Sequence, residues 1–203
     1  MTLRLASVAD AGAIAAIHAE RIAEGFLVTL GPAFLGRLYR RIASSSSAFV
    51  LVVDRPQSGA PNRAERVSGF IAVAESTAAL YREFLLRDGI VAGFAATRGI
   101  VRAPRAVSET LRYGLRGGRE RGHTRGAEVL ATAVSADLGK QGIGTRLVRA
   151  AVEELARRGA GSARVVTATG NLAAVRVYEQ GGFRLSGVDE VHRGVTQQLL
   201  VWP

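Results

Sequence analysis

Gly139-Lys140-Gln141-Gly142-Ile143-Gly144-Thr145 has the composition of an anion site. It follows an apolar run, Val129 to Val134, and leads into an amphipathic stretch, Ile143 to Leu155. Where a strand turns into a helix, the first helical N–H groups have no internal acceptor. Those groups and the helix dipole favour a phosphate, and glycine lets the backbone approach it closely. Gln141, Gly142, Ile143, Gly144 and Thr145 would present their N–H groups together, with a pyrophosphate as natural guest. Many glycine turns are only tight turns, so this one needs support from elsewhere. The phosphate-loop signature fails, because no Gly-Lys-Ser/Thr is present. A dinucleotide fingerprint fits poorly, because the strand lies late and no acidic ribose partner follows.

A second segment supplies that support. An apolar run at residues 163–169 is followed by Asn171, a residue type that caps helices. Tyr178 lies seven residues on, two turns along the same helical face. Gly181-Gly182-Phe183 then ends the helix.

The rest of the chain must position these groups. Its 203 residues suffice for one domain with a core, and 48% apolar content argues against disorder. Leu3 to Leu5 reads as a strand, and Asp10 as the N-cap of a helix through Ile14, Ile17 and Ile22. Gly31-Pro32 precedes a helix whose face carries Phe34, Leu35, Leu38, Tyr39 and Ile42. Residues 49–53 and 67–74 read as an antiparallel hairpin around a proline-containing loop. Residues 77–86 and 104–116 read as helices in a variable segment spanning about 77–126. A strand at 128–134, a helix at 143–158, a strand at 163–169, a helix at 172–180 and a strand at 195–201 complete the order. No linker separates domains, so residues 1–203 are expected to form one.

Composition narrows the classes. Cysteine is absent, which excludes a thiol nucleophile, a disulfide framework and a thiolate metal site. His18, His123 and His192 are too scattered for a metal cluster, so no metal is expected. The N-terminus lacks a signal-like apolar segment and no run is long enough for a membrane span, so a cytoplasmic location is expected. Formal net charge is +10, from 27 basic residues of which only Lys140 is lysine. Eight arginines fall between Arg98 and Arg125. Solvated faces or an electrostatic funnel for an anionic ligand explain this charge. Nucleic-acid binding is not favoured, because no aromatic platform interleaves the arginines.

Strand, glycine loop, helix, strand, Asn, helix, Tyr and Gly-Gly-Phe in this order resemble the GNAT acetyltransferase superfamily over residues 128–183. The layout of residues 3–73 is also compatible. The resemblance implies a GNAT fold of class α+β or α/β, a mixed and mostly antiparallel central sheet with helices on both faces. It implies acetyl-CoA as acetyl donor and an amine as acceptor. The family loop, Arg/Gln-x-x-Gly-x-Gly/Ala, aligns on Gly139 to Gly144, with Gly139 where a side-chain donor is the rule. Lys140 could supply charge in its place.

By the same resemblance, Ala133, Val134 and Ser135 would pair with the pantetheine arm and Asn171 would hydrogen-bond to it. Tyr178 would protonate the leaving thiolate, a role open to a phenol of ordinary pKa near 10. A strand N–H near Val134 would stabilise the oxyanion. The amine must also lose a proton. Glu128 opens the strand before the loop and, by alternation, shares a face with Leu130 and Thr132. A carboxylate among apolar neighbours holds a proton more readily, which suits a base. Glu20 and Glu24, in the first helical region, are weaker candidates for holding the substrate amine. Without a covalent nucleophile, direct transfer in a ternary complex is expected. The acceptor is expected to be a small-molecule amine rather than a protein, and a homodimer is left open. The alternative is a non-catalytic acyl-CoA-binding sensor or partner module of the same fold.

Overall fold

The computed structural model describes residues 1–22, 26–55, 66–95, 126–139, 141–192 and 195–203. Its elements are β1 (Thr2–Leu5), α1 (Ala11–Arg21), α2 (Phe26–Thr29), α3 (Pro32–Ser44), β2 (Ala48–Asp54), β3 (Val67–Ala74) and α4 (Thr77–Ala95). They continue as β4 (Ala127–Val134), α5 (Ile143–Arg157), β5 (Ala163–Ala168), α6 (Leu172–Gln180), β6 (Arg184–His192) and β7 (Val195–Trp202). The strands form one sheet in the order β1-β2-β3-β4-β5-β7-β6. Every pairing is antiparallel except β4 with β5. The class expected from sequence, a mixed and mostly antiparallel sheet between helices, is the one observed.

The central strands are buried on both faces, which is why residues 49–53 and, apart from Ser68, residues 67–74 read as apolar runs. Phe49, Leu51 and Val53 of β2 meet Ile71 and Val73 of β3 on one face, under Ile143, Leu147, Val148, Ala151 and Leu155 of α5. Val50, Val52, Phe70 and Ala72 point to the other face, under α1 and α3. α3 and α5 each present a single apolar stripe and pack on opposite sides of the sheet, α3 together with α1.

Several expected boundaries move. Asp10 precedes α1, but its carboxylate makes no cap bond there. It accepts instead from Ser7 N–H (2.7 Å) and from Arg4 (2.8 and 2.9 Å), while Arg4 also holds Asp54 (2.7 Å). Burial opposes ionisation of Asp10, yet the Arg4 and Ser7 hydrogen bonds outweigh it and hold the carboxyl at about 2. A depressed carboxyl stabilises the fold above its unfolded value, about 3.9. That contribution is expected to disappear as pH falls from about 4 through 2, and acid denaturation of Asp10→Asn should lack this component.

The helix read at 77–86 continues to Ala95, through Gly89. The helix read at 104–116 lies outside the described residues. The strand β6 is not marked in the sequence, because Gly187 and several polar residues interrupt its pattern. As an edge strand, with Leu185 and Val188 exposed, it has little need of an apolar face.

Candidate active site

β4 builds the site because its two edges are treated differently. Toward β3 it pairs from Glu128 to Val134. Toward β5 it pairs only at Ala127–Ala163 and Glu128–Arg164. Beyond Glu128 the two strands diverge, and among the described residues that edge of β4 has no partner.

Antiparallel alternation decides which peptide groups face the gap. The Ser135 N–H donates to the Ser68 carbonyl at 2.8 Å, toward β3. Two residues back, Ala133 addresses β3 opposite Phe70. Val134 and Thr132 therefore turn their N–H and C=O groups to the gap. A free strand edge of this kind pairs with an extended, amide-bearing ligand. Of Ala133, Val134 and Ser135, only Val134 faces the gap. The Ser135 hydroxyl is spent on the Ser68 carbonyl (2.9 Å), and the Ala133 side chain is buried beneath α1. Thr132 takes their place, unnoticed in the sequence because the direction of a peptide group depends on register.

A β-bulge separates the two candidate catalytic groups. Ala72 pairs with Ala131 but Val73 with Val129, so Leu130 is an extra residue in β4. One extra residue reverses the alternation beyond it. Leu130 packs on the α1–α3 side with Ala131 and Ala133, whereas Val134 packs on the α5 side. Thr132 lies opposite Ile71, also on the α5 side. Glu128 lies opposite Ala74 and therefore does not share a face with Thr132, as simple alternation suggested.

Nor are the surroundings of Glu128 apolar. Its Oε2 accepts from Arg164 Nη2 (2.8 Å), Arg164 Nε (3.3 Å) and the Thr77 hydroxyl (3.2 Å). No hydrogen bond to Oε1 is found among the described residues. Both partners of the ion pair are half-buried. Glu20 is exposed on α1, and Glu24 lies outside the described residues.

Tyr178 reaches β4 from the opposite face. α6 places it in the core, with its ring edge-on to Phe183 at 5.6 Å between centroids. Its hydroxyl donates to Thr132 Oγ1 at 3.2 Å, beside the gap. Burial raises the phenol above its ordinary range and the Thr132 contact offsets part of that rise. Tyr178 therefore keeps its proton at neutral pH and can act as an acid.

The glycine loop closes the open end of the gap. Gly142 adopts φ +72° as the N-cap of α5. The first helical bond runs from Arg146 N–H to the Gly142 carbonyl at 3.1 Å. The N–H groups of Ile143, Gly144 and Thr145 ahead of it find no acceptor among the described residues. No atom lies within 4 Å of where a Gly142 side chain would begin, so the loop surface stays bare. The first turn of α5 carries no acidic residue, and exposed Arg146 follows it. A helix N-terminus prefers negative charge, and the first turn of α5 supplies none. Gly144 serves packing too, because a Cβ there would stand 3.3 Å from Val177 of α6. The Thr145 hydroxyl binds Gln180 Oε1 (2.9 Å), which leaves only its N–H for a ligand. Gln141 is exposed, and Lys140 lies outside the described residues. Asn171 caps α6 through Oδ1, accepting from Ala174 N–H at 3.1 Å, while no partner of its amide nitrogen is found among the described residues.

From Val129 to Val134 the free edge runs about 17 Å, at roughly 3.3 Å per residue. The site is thus a slot with an anion cradle at one end and Tyr178 and Glu128 toward the other, on opposite faces.

Comparison with known proteins agrees with this architecture. The Acetyltransferase (GNAT) family profile matches residues 55–183. The chain belongs to this family and is an acyltransferase. No curated protein sequence matches it. Among solved structures, the ribosomal-protein-alanine N-acetyltransferase of Brucella melitensis superposes with TM-score 0.60 at 15% identity, covering 99% of this chain and 98% of that one. A spermidine N-acetyltransferase chimera from Vibrio cholerae and hSSAT gives 0.58 at 14% identity, covering 100% and 96%. A streptothricin acetyltransferase of Bacillus anthracis, solved with acetyl coenzyme A, gives 0.50 at 14% identity. There the match covers 81% of this chain but only 66% of that protein. At these identities the likeness is one of fold. Among the described residues, no helix is long and apolar enough to cross a membrane.

Proposed function

We propose that this chain is an acetyl-CoA-dependent N-acetyltransferase acting on a small primary amine by direct transfer in a ternary complex. The divergence of β4 from β5, with the bare N-terminus of α5 at its open end, carries the reading. Acetyl-CoA supplies the activated acetyl group. The N–H groups of Gln141 to Thr145 hold its pyrophosphate, with Lys140 adding charge. Thr132 and Val134 align the pantetheine arm along the free edge, and the Asn171 amide bonds to it.

The remaining chemistry belongs to side chains and one amide. Val134 N–H stabilises the negative charge that develops on the carbonyl oxygen. Glu128 accepts the ammonium proton through Oε1, directly or through a water. Tyr178 returns a proton to the departing thiolate. We place the enzyme in the cytoplasm as one domain.

The coenzyme half of the reading is tested by thermal unfolding. At ~100 times its dissociation constant, acetyl-CoA adds roughly 2.7 kcal/mol to a one-site protein. A rise in Tm with coenzyme concentration is expected, and an unmoved Tm at millimolar coenzyme contradicts it. Gly142→Val should weaken this response about tenfold in affinity, because a β-branched residue at positive φ costs roughly 1–3 kcal/mol and also intrudes on the cradle. Titration calorimetry of that variant is the check.

A further inference from the structure

We propose that the acceptor carries a carboxylate beside its amine, and that Arg164 is the residue that selects it. The inference rests on the acetyltransferase reading above and concerns the acceptor alone.

Its starting point is the uneven use of the Glu128–Arg164 pair. Arg164 Nε, Arg164 Nη2 and the Thr77 hydroxyl all converge on one oxygen, Glu128 Oε2. Among the described residues no hydrogen bond reaches Oε1, and none reaches Arg164 Nη1. A guanidinium has five N–H donors, so the outer edge of the fork keeps donors for a second anion. The pair is not sealed away, since each side chain retains 24% of its exposure.

The pair stands at the last register position before β4 and β5 separate. It lies on the sheet face opposite Tyr178, so the coenzyme chemistry proposed for Tyr178 does not require it. A primary amine is a cation at neutral pH. Brought to Glu128 Oε1 on its own, it meets the guanidinium as a like charge at short range. An amine with an adjacent carboxylate reverses that balance. Its ammonium bonds to Oε1 while its carboxylate takes the outer edge of Arg164 in a charge-assisted contact. Arg164 is then a specificity-determining residue, and Thr77 fixes the rotamer of the glutamate that receives the proton.

Matched substrates test this. Phenylalanine and 2-phenylethylamine, and leucine and 3-methylbutylamine, differ only in the carboxylate. Each is offered with acetyl-CoA to the full chain and to Arg164→Gln and Arg164→Lys. The wild type should favour the carboxylated member at least about tenfold in kcat/KM, the usual weight of a charge-assisted contact. Arg164→Gln should bring that ratio close to one, and Arg164→Lys should restore part of it. A wild-type ratio near one, or a ratio unchanged in Arg164→Gln, overturns the proposal. Acetylation of neither carboxylated amine, by protein whose Tm rises with acetyl-CoA, also overturns it and leaves the coenzyme reading intact. If the coenzyme does not move the wild-type Tm, the acetyltransferase reading itself fails. A Tm response retained in both variants shows that they are folded.

Discussion

Tyr178→Phe is expected to lower kcat about 100-fold, the low end of what a positioned acid contributes. The Michaelis constant for acetyl-CoA should change less than twofold. The ring and its contact with Phe183 survive the substitution, so the core is kept. Only the hydroxyl is lost, and with it the bond to Thr132. That bond is neutral and single, with a net value of roughly 1 kcal/mol. Stability therefore falls little while turnover falls much. Thr132→Val separates the two roles, because it removes the acceptor and leaves the phenol. If Tyr178 were only a packing residue, both variants would slow turnover equally and slightly. As an acid, it makes the tyrosine variant far the slower. The comparison is best made under saturating coenzyme, where kcat reports the chemistry.

The second large effect is on stability. Gly181→Ala should destabilise the fold by about 1–3 kcal/mol, the cost of overpacking a well-filled site. Backbone strain is not the cause, since Gly181 has φ −84°, which alanine accepts. The obstacle is Val148 of α5. A Cβ on Gly181 would lie 2.9 Å from Val148 Cβ and closer still to its Cγ1. In a chain of this size each kcal/mol moves Tm by roughly 2–4 °C. Val148→Ala in the same chain should recover part of the loss, a non-additivity that identifies the contact. Activity should fall in the single variant as well, because Tyr178 lies one turn before Gly181 on the helix that would be pushed away. A Tm within a degree of wild type would show that α5 and α6 yield freely.

The positions that determine the site were unequally legible in the sequence. Gly142 could be read, because a strand-to-helix turn at positive φ calls for glycine. α5 could be read from the spacing of Ile143, Leu147, Val148, Ala151 and Leu155. Tyr178 could be placed from its distance to Asn171. The bulge at Leu130 could not be read, since no glycine or proline marks it and β4 is apolar on either side. Simple alternation therefore put Glu128 and Thr132 on one face. The ion pair with Arg164 was hidden for a related reason. It depends on a parallel pairing of two residues that lie 36 positions apart. The helix read as ending at residue 86 runs on to Ala95, and β6 escaped notice because an edge strand needs no apolar face. Local periodicity gave the elements, and register decided which groups meet.

Transfer itself is the most direct measurement. The protein is incubated with acetyl-CoA labelled in the acetyl group and a panel of primary amines, and the products are followed by mass spectrometry. The expected result is labelled acetyl on at least one small amine, at a rate cut sharply in Tyr178→Phe. Saturable coenzyme binding with no label passing to any amine would contradict it, and would make the chain a holder of acyl-CoA rather than an enzyme that spends it.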